Sequence, residues 1–296
     1  MMRRTFLVFA LLFTAAGGFA PAAQNAPAAA LPARPDSLKF AVIGDTGTGG
    51  RPEFDVGQQM AAARAKFPFE LVLMLGDNMY GRQAPQDFVE KFERPYAPLL
   101  QAGVLFYATL GNHDNQSNRF YKGFNMGGER YFSYVKKNVR FFVLDSNSLD
   151  AQQRSWLDEA LGRSREDWKI CYFHHPLYSD AGRHGSDVSL RVALEPMLVK
   201  HGVDVVFSGH DHIYERLKPQ KGIAYFVAGS GGELRRGDAH PSAMTAAYYD
   251  QDNAFMLVEV AGDELSFQSI SRTGASVDAG RIVRQSAPAA EPTRLP

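Results

Sequence analysis

Apolar residues in this chain gather in short runs closed by turn residues. Residues 38–43 form such a run and end at Gly44; residues 71–75 end at Gly76; residues 104–110 end at Gly111. Residues 139–144, 169–173 and 203–207 repeat the pattern. Runs of this length, bounded by glycine or small polar residues, predict buried strands. Between several of them the apolar period lengthens. Residues 55–67 are alanine-rich with scattered charge and predict a helix. Asp150 is placed to cap a second helix that carries Trp156, Leu157, Ala160 and Leu161 on one face. Residues 189–201 predict a third. Strands alternating with helices imply an α/β core.

From Gly222 onward the spacing tightens. Residues 223–227, 254–260 and 265–271 read as strands joined by short turns such as Ala261-Gly262-Asp263. Short connections favour antiparallel pairs, expected in a second sheet or on its edge. The fold class expected is α/β: two packed mixed β-sheets flanked by helices.

The chain begins Met1-Met2-Arg3-Arg4-Thr5, continues with an apolar stretch over residues 6–16, and reaches small residues at Ala20-Pro21-Ala22-Ala23. Basic start, short apolar core and small-residue site are the parts of a secretory signal. The apolar core is too short to cross ~30 Å of hydrocarbon, so no stable membrane insertion is expected once the signal is removed. Arg3-Arg4-Thr5-Phe6-Leu7 also resembles a twin-arginine export signal, and both export routes stay open. The expected organisation is a signal over 1–23, an Ala/Pro-rich linker over 24–35, a catalytic domain over 36–284 and a disordered tail over 285–296. The expected location is periplasmic or secreted.

Composition narrows the classes. Lysine plus arginine and aspartate plus glutamate each number 32, so the formal net charge is zero, unlike the strongly basic domains that bind nucleic acid. No nucleic-acid partner is expected. The single cysteine, Cys171, excludes an intramolecular disulfide. It lies in an apolar run and is expected to be a buried strand residue.

The chemistry sits where the predicted strands end. Five blocks follow strands directly: Gly44-Asp45-Thr46-Gly47, Gly76-Asp77-Asn78-Met79-Tyr80, Gly111-Asn112-His113-Asp114, Phe173-His174-His175-Pro176 and Gly209-His210-Asp211-His212. Loops beyond the carboxyl ends of strands converge in α/β sheets. Together the blocks offer carboxylates, an amide and imidazoles, the donors a pair of metal ions requires. Asp77 is the candidate to bridge the two, because one carboxylate spans two cations. His210 and His212, two apart, would share one side of extended backbone, each facing a different metal. His113, with Asp114 next in line, resembles an imidazole held by a carboxylate, an arrangement suited to acid–base work.

These blocks, in this order and spacing, resemble the calcineurin-like metallophosphoesterases and, within them, the purple acid phosphatases. The resemblance covers nearly all of the predicted folded part. The superfamily pattern usually opens Asp-x-His; here Gly47 stands where that histidine would be. Tyr80, three residues after Asp77, makes up the loss, and this exchange marks the purple acid phosphatases. The resemblance implies that Asp45, Asp77, Tyr80 and His212 hold iron(III), whose preference for hard anionic oxygen suits a phenolate. It implies that Asp77, Asn112, His174 and His210 hold a divalent ion: iron, zinc or manganese. His174 is preferred to His175 because the family's ligand stands two residues before proline. His175, His184 and Asn112 would contact substrate. The implied activity is hydrolysis of phosphate monoesters by a metal-bound hydroxide, with His113 as acid to the leaving group and Asp114 orienting it.

The implied substrate is a small phosphate ester, and the implied form is the small single-domain one, a monomer. A phosphodiesterase or phospholipase-type esterase on the same site is an alternative. A metal-binding protein without turnover is another, from a different class.

Overall fold

The computed structural model describes residues 31–284. In chain order its elements are β1 (Leu38–Ile43), α1 (Arg51–Arg64), β2 (Leu71–Met74), α2 (Pro85–Phe88), α3 (Ala97–Gln101), β3 (Leu105–Ala108), β4 (Phe132–Lys136), β5 (Val139–Val143), α4 (Ala151–Arg163) and β6 (Trp168–Tyr172). There follow α5 (Val188–Lys200), β7 (Val205–Ser208), β8 (Tyr214–Leu217), β9 (Ala224–Ala228), β10 (Thr245–Tyr249), β11 (Ala254–Ala261), β12 (Glu264–Ser271) and β13 (Ser276–Val283). A π-helical turn, Val89–Glu93, lies between α2 and α3.

The strands form two mixed sheets, in the orders β13-β12-β11-β1-β2-β3 and β10-β8-β9-β7-β6-β5-β4. Side chains alternate between the two faces of a strand, and the packing follows that alternation. Phe40, Val42, Leu71 and Leu73 of the first sheet meet Phe141, Ile170, Phe207 and Phe226 of the second in one inter-sheet core. Phe40 and Phe141 cross the interface edge-to-face at 5.4 Å. The intervening residues point outward. Ala41, Ile43, Val72 and Met74 pack with Val56 and Met60 of α1 and Leu99 of α3. Phe142, Cys171 and Val206 pack with Leu157 of α4 and Leu194 of α5. The expected sandwich with helices outside is therefore the observed one, and Cys171 is buried in β6 as expected.

Of the C-terminal strands, β11 and β12 form the antiparallel pair expected, but in the sheet of β1 and not in a second one. β11 pairs antiparallel with β1, and β12 and β13 extend that first sheet. β9 instead runs parallel to β7 in the second sheet. Apolar runs also missed four strands. β4, β10 and β13 are sheet edges, where one side is wet and charge or glycine is tolerated. β8 reads Tyr-Glu-Arg-Leu; its Arg216 is neutralised by Asp278 of β13 at 2.7 Å. The first helix starts at Arg51, with Pro52 in its first turn.

The expectations for residues 1–23, 24–30 and 285–296 lie outside the described residues. Of the stretch read as linker, residues 31–35 are held in place. Leu31 packs on the cluster under α1, and the backbone N–H groups of Ala33 and Arg34 donate to the buried Glu259 carboxylate at 2.8 and 2.5 Å. Among the described residues no helix is long and apolar enough to cross a membrane.

Parallel strands end at a common edge. β1, β2 and β3 run parallel in one sheet, and β5, β6, β7 and β9 in the other. Backbone bonds lace their ends together. Asp45 N–H donates to Gly76 O (3.0 Å), Gly209 N–H to His174 O (3.0 Å), and Gly231 N–H, after β9, to Gly44 O across the sheets (3.0 Å).

Candidate metal centre

All five strand-end blocks meet at this edge, and their side chains fall into two sets around one oxygen. In the first set, Tyr80 Oη lies 3.3 Å from Asp45 Oδ1, 3.1 Å from Asp77 Oδ2 and 3.2 Å from His212 Nε2. His212 Nε2 is 3.5 Å from Asp45 Oδ1. In the second set, His174 Nε2 lies 3.4 Å from Asp77 Oδ2, 3.0 Å from Asn112 Oδ1 and 3.1 Å from His210 Nδ1. Asp77 Oδ2 belongs to both. Its other oxygen is taken by the His113 N–H at 2.8 Å, which fixes the carboxylate's orientation.

These separations match a coordination shell. Ligands at ~2.1 Å from a metal stand ~3.0 Å apart in an octahedron and ~3.4 Å apart in a tetrahedron. The chemistry of the donors agrees. His174 Nδ1 faces the Leu75 carbonyl at 3.0 Å; donating there leaves the Nε2 lone pair free, the arrangement that prepares histidine for a metal. With that nitrogen unprotonated, it and Asn112 Oδ1 are both acceptors, and a cation between them would satisfy the two. Two carboxylates, a phenol, an amide and three imidazoles thus fit two adjacent cations.

Electrostatics point the same way. Asp45 and His174 are fully buried and Asp77 nearly so. Burial pushes the Asp45 carboxyl up against the pull of His212 and His174. Burial would raise Asp77 also, but the hydrogen bond and charge of His174 outweigh it and hold the carboxyl well below its usual range. Burial, then the charges of Asp45 and Asp77, drive the Tyr80 phenol far above its ordinary value. His174 would fall on burial but is raised to about 9 by Asp77 and Asp45. Protons on Tyr80 and His174 are thus what the carboxylates hold when no metal supplies positive charge, and bound cations invert that balance. His210 is pushed down to about 2 by burial and by its histidine neighbours, so the ring is neutral and one of its nitrogens keeps a lone pair.

The backbone accepts strain to make this site. Asp45, Asp77 and His210 are non-glycine residues with φ of +56°, +49° and +70°, a left-handed conformation that is uncommon and costly for a residue with a side chain. His210 does not lie in the extended backbone expected. Asp211 N–H donates to Gly209 O at 2.8 Å, closing a three-residue turn that swings His210 and His212 to separate sets. The turn is admitted because a Cβ on Gly209 would lie 2.4 Å from Asp45 Oδ2. Gly47 has a matching reason: a Cβ there would lie 1.9 Å from the Asn78 carbonyl. The backbone that presents Tyr80, whose N–H donates to Gly47 O at 2.9 Å, leaves no room for a residue-47 side chain.

The remaining predicted residues divide. The His113 ring is exposed and rests against Tyr80, with centroids 4.8 Å apart. The orienting role expected for Asp114 is not what the structure places there. Asp114 Oδ2 accepts from Asn78 N (3.1 Å), Asn78 Nδ2 (2.8 Å) and Gly111 N (2.9 Å), and Oδ1 from Asn118 Nδ2 (3.3 Å). Consecutive side chains in this tight turn point apart, so Asp114 braces the loop from beneath while His113 faces out. His175 sits at the rim, its Nδ1 2.9 Å from Ser146 Oγ, its ring 4.4 Å from that of His210. It also completes a close group with His174 and His210. His184 is exposed, with its ring 4.3 Å from that of His210.

Beside these residues opens a cleft of about 500 Å³ that includes Asn112, Gln116, Ser146, Asn147, His175 and Asp187. Ser146, Asn147 and Asp187 were not singled out from sequence. Leu144-Asp145-Ser146-Asn147 follows β5 as the other blocks follow their strands, and that signal could have found the first two.

Comparison with known proteins agrees with this geometry. The model of the family described as calcineurin-like phosphoesterase matches residues 38–214. Human tartrate-resistant acid phosphatase type 5 is 27% identical, over 85% of this chain and 93% of its own. Purple acid phosphatase 3 of Arabidopsis thaliana is 30% identical, over 77% of this chain and 73% of its own. Among solved structures, purple acid phosphatase PPD1 from yellow lupin (Lupinus luteus) seeds superposes with a TM-score of 0.70 at 18% identity, covering 86% of this chain and 55% of that one. GAP50, the anchor in the inner membrane complex of Plasmodium, superposes at 0.74 with 17% identity, covering 84% and 90%. Two ligand sets sharing Asp77, a tyrosine in place of a histidine, and relatives along most of the chain lead to one conclusion: the chain belongs to the calcineurin-like phosphoesterases, in their purple acid phosphatase branch.

Proposed function

We propose that this protein is an exported acid phosphatase that hydrolyses small phosphate monoesters, working as a monomer with iron(III) at the Tyr80 set and a divalent ion at the His174 set. The observation that carries the reading is the pair of donor sets joined through Asp77 Oδ2. Bound cations there would supply charge to neutralise the phosphoryl group and to acidify the attacking water.

The chain's own residues do the rest. His210 N–H donates to both Asp45 oxygens (3.2 and 2.9 Å) and His113 N–H to Asp77 Oδ1, so both carboxylates are aimed before any ligand arrives. Such preorganisation lowers the cost of holding charge in the transition state. Water adds to phosphorus, the P–O bond to the alcohol breaks, and the alcohol oxygen needs a proton. His113 stands outside both donor sets, at the solvent side of Tyr80, and can deliver it. Asn112, His175 and His184 border the space where the phosphoryl oxygens sit. Tyr80 favours a ferric ion because a phenolate is a hard anionic donor.

A fold shared with an anchoring protein does not by itself imply turnover; the complete donor sets and His113 favour an enzyme. Metal analysis with a visible spectrum and an aryl phosphate assay tests the reading. Two metals per chain, colour from the phenolate, and activity abolished by chelation are expected. A single metal, or hydrolysis unchanged by chelation, would overturn it. Fractionation of the native host tests export, and sedimentation the monomer.

A further inference from the structure

The cleft beside the donor sets has a charge pattern of its own. It shares Asn112 and His175 with the centre, so the alcohol part of a phosphate ester held at the centre would have the wall formed by Ser146, Asn147, Gln116 and Asp187 within reach. The wall is firmly built. Asn147 Nδ2 donates to Leu110 O and Gly111 O (3.1 Å each), and Ser146 Oγ accepts the His175 N–H (3.1 Å). Asp187 N–H donates to Pro176 O at 2.8 Å, which pins Asp187 one residue from His175.

No lysine or arginine is among the cleft's lining residues; its formal charges there are carboxyls. Asp114 spends its oxygens on Asn78, Gly111 and Asn118. Asp187 is different. Its Oδ1 caps α5 by accepting from Leu190 N (2.8 Å), which fixes the side chain and leaves the other oxygen available. Arg191, one turn along, lays its guanidinium over the Tyr178 ring instead, 4.5 Å from the centroid. The α5 N-terminus contributes only about half a positive charge, less than the full charge of Asp187.

The geometry points to Asp187 as a specificity residue that favours phosphate esters of amino alcohols, whose ammonium group would lie in this cleft, over esters whose alcohol carries a second anion. This inference rests on the phosphatase reading above and adds the substrate class.

The test uses the metal-loaded full chain and three monoesters: choline phosphate, its uncharged carbon isostere 3,3-dimethylbutyl phosphate, and 3-phosphooxypropionate. The expected order of kcat/KM is cationic, neutral, anionic, with choline phosphate about 10-fold above the isostere at low salt and less at high salt. Asp187→Asn keeps the helix cap, since asparagine caps as well as aspartate, and should bring the two within about two-fold, mostly through KM. Asp187→Ser serves if the first variant folds poorly. Aryl phosphate is the control on wild type. If it is hydrolysed while choline phosphate shows no advantage, or the advantage survives in Asp187→Asn, this inference is overturned alone. If aryl phosphate is not hydrolysed by the metal-loaded protein, the phosphatase reading has failed and this inference with it.

Discussion

Glu53 should make the stability of this protein depend on pH, and Glu53→Gln should remove that dependence. The side chain is fully buried in α1, under the loop that follows Asp45. Its Oε2 accepts from Gly49 N (2.8 Å), Thr48 N (3.1 Å) and Thr48 Oγ1 (3.2 Å), while Oε1 is buried beside the Tyr96 hydroxyl. Burial raises the carboxyl from 4.5 to about 8, although those hydrogen bonds and the charge of Lys91 oppose it. The folded value lies above the unfolded one. The stability of the protonated form is therefore fully present below pH 4.5 and is lost as pH rises through about 8. At ~1.36 kcal/mol per unit, the loss amounts to about 5 kcal/mol. For a domain of this size that is roughly 10 °C or more in Tm. Glutamine keeps the acceptor for Thr48 and Gly49, places an amide beside Tyr96, and does not ionise. Thermal melts of wild type and variant at pH 5 and pH 9, both metal-loaded, should show near-equal Tm at pH 5 and a more stable variant at pH 9. An equal offset at the two pH values would refute the argument, because it would mean that Glu53 does not titrate between them.

Other outcomes follow from the site. Asp77→Asn removes the carboxylate common to both sets, so metal content should drop below two per chain and activity by at least about 100-fold, the upper end of the loss seen when an outer partner of a ligand is removed; retention of two metals would refute the sharing. Tyr80→Phe should abolish visible absorption, and a variant that stays coloured places the phenolate elsewhere. His113→Ala should keep metal and colour yet lose about 100-fold or more on alkyl phosphates, with aryl phosphates much less affected; equal loss on both would remove its role as acid. Asp114→Ala strands the N–H donors of Asn78 and Gly111 and should cost about 1–3 kcal/mol of stability, while the pH–rate profile of the folded fraction stays unmoved. A profile shifted like that of His113→Ala would restore Asp114 as its partner.

The legible parts of the fold were those where burial on both faces wrote a continuous apolar run. β1, β2, β6 and β7 are of that kind, and each ends at a block of ligand types. The site was legible for the same reason: a strand end fixes where a loop starts, so Asp45, Asp77, Asn112, His174 and His210 announce themselves by position. β4, β10 and β13 were illegible because an edge strand needs no continuous apolar signal. Asp187 was illegible because its place beside His175 depends on a backbone bond to Pro176 and on the start of α5, neither of which is written as a motif.

Sequence alone determined the donor types, their order, and the replacement of a histidine at Gly47 by Tyr80, since these are covalent facts about which groups follow which strands. It could not decide the partners. Asp114 adjoins His113 in the chain, yet the turn sends the two side chains apart, and Asp114 braces the loop instead. Whether one oxygen of Asp77 serves two donor sets, and whether a carboxylate stands in the neighbouring cleft, depends on distances between residues far apart in the chain. Only the packing of two sheets face to face, with their parallel strands ending at one edge, fixes those distances.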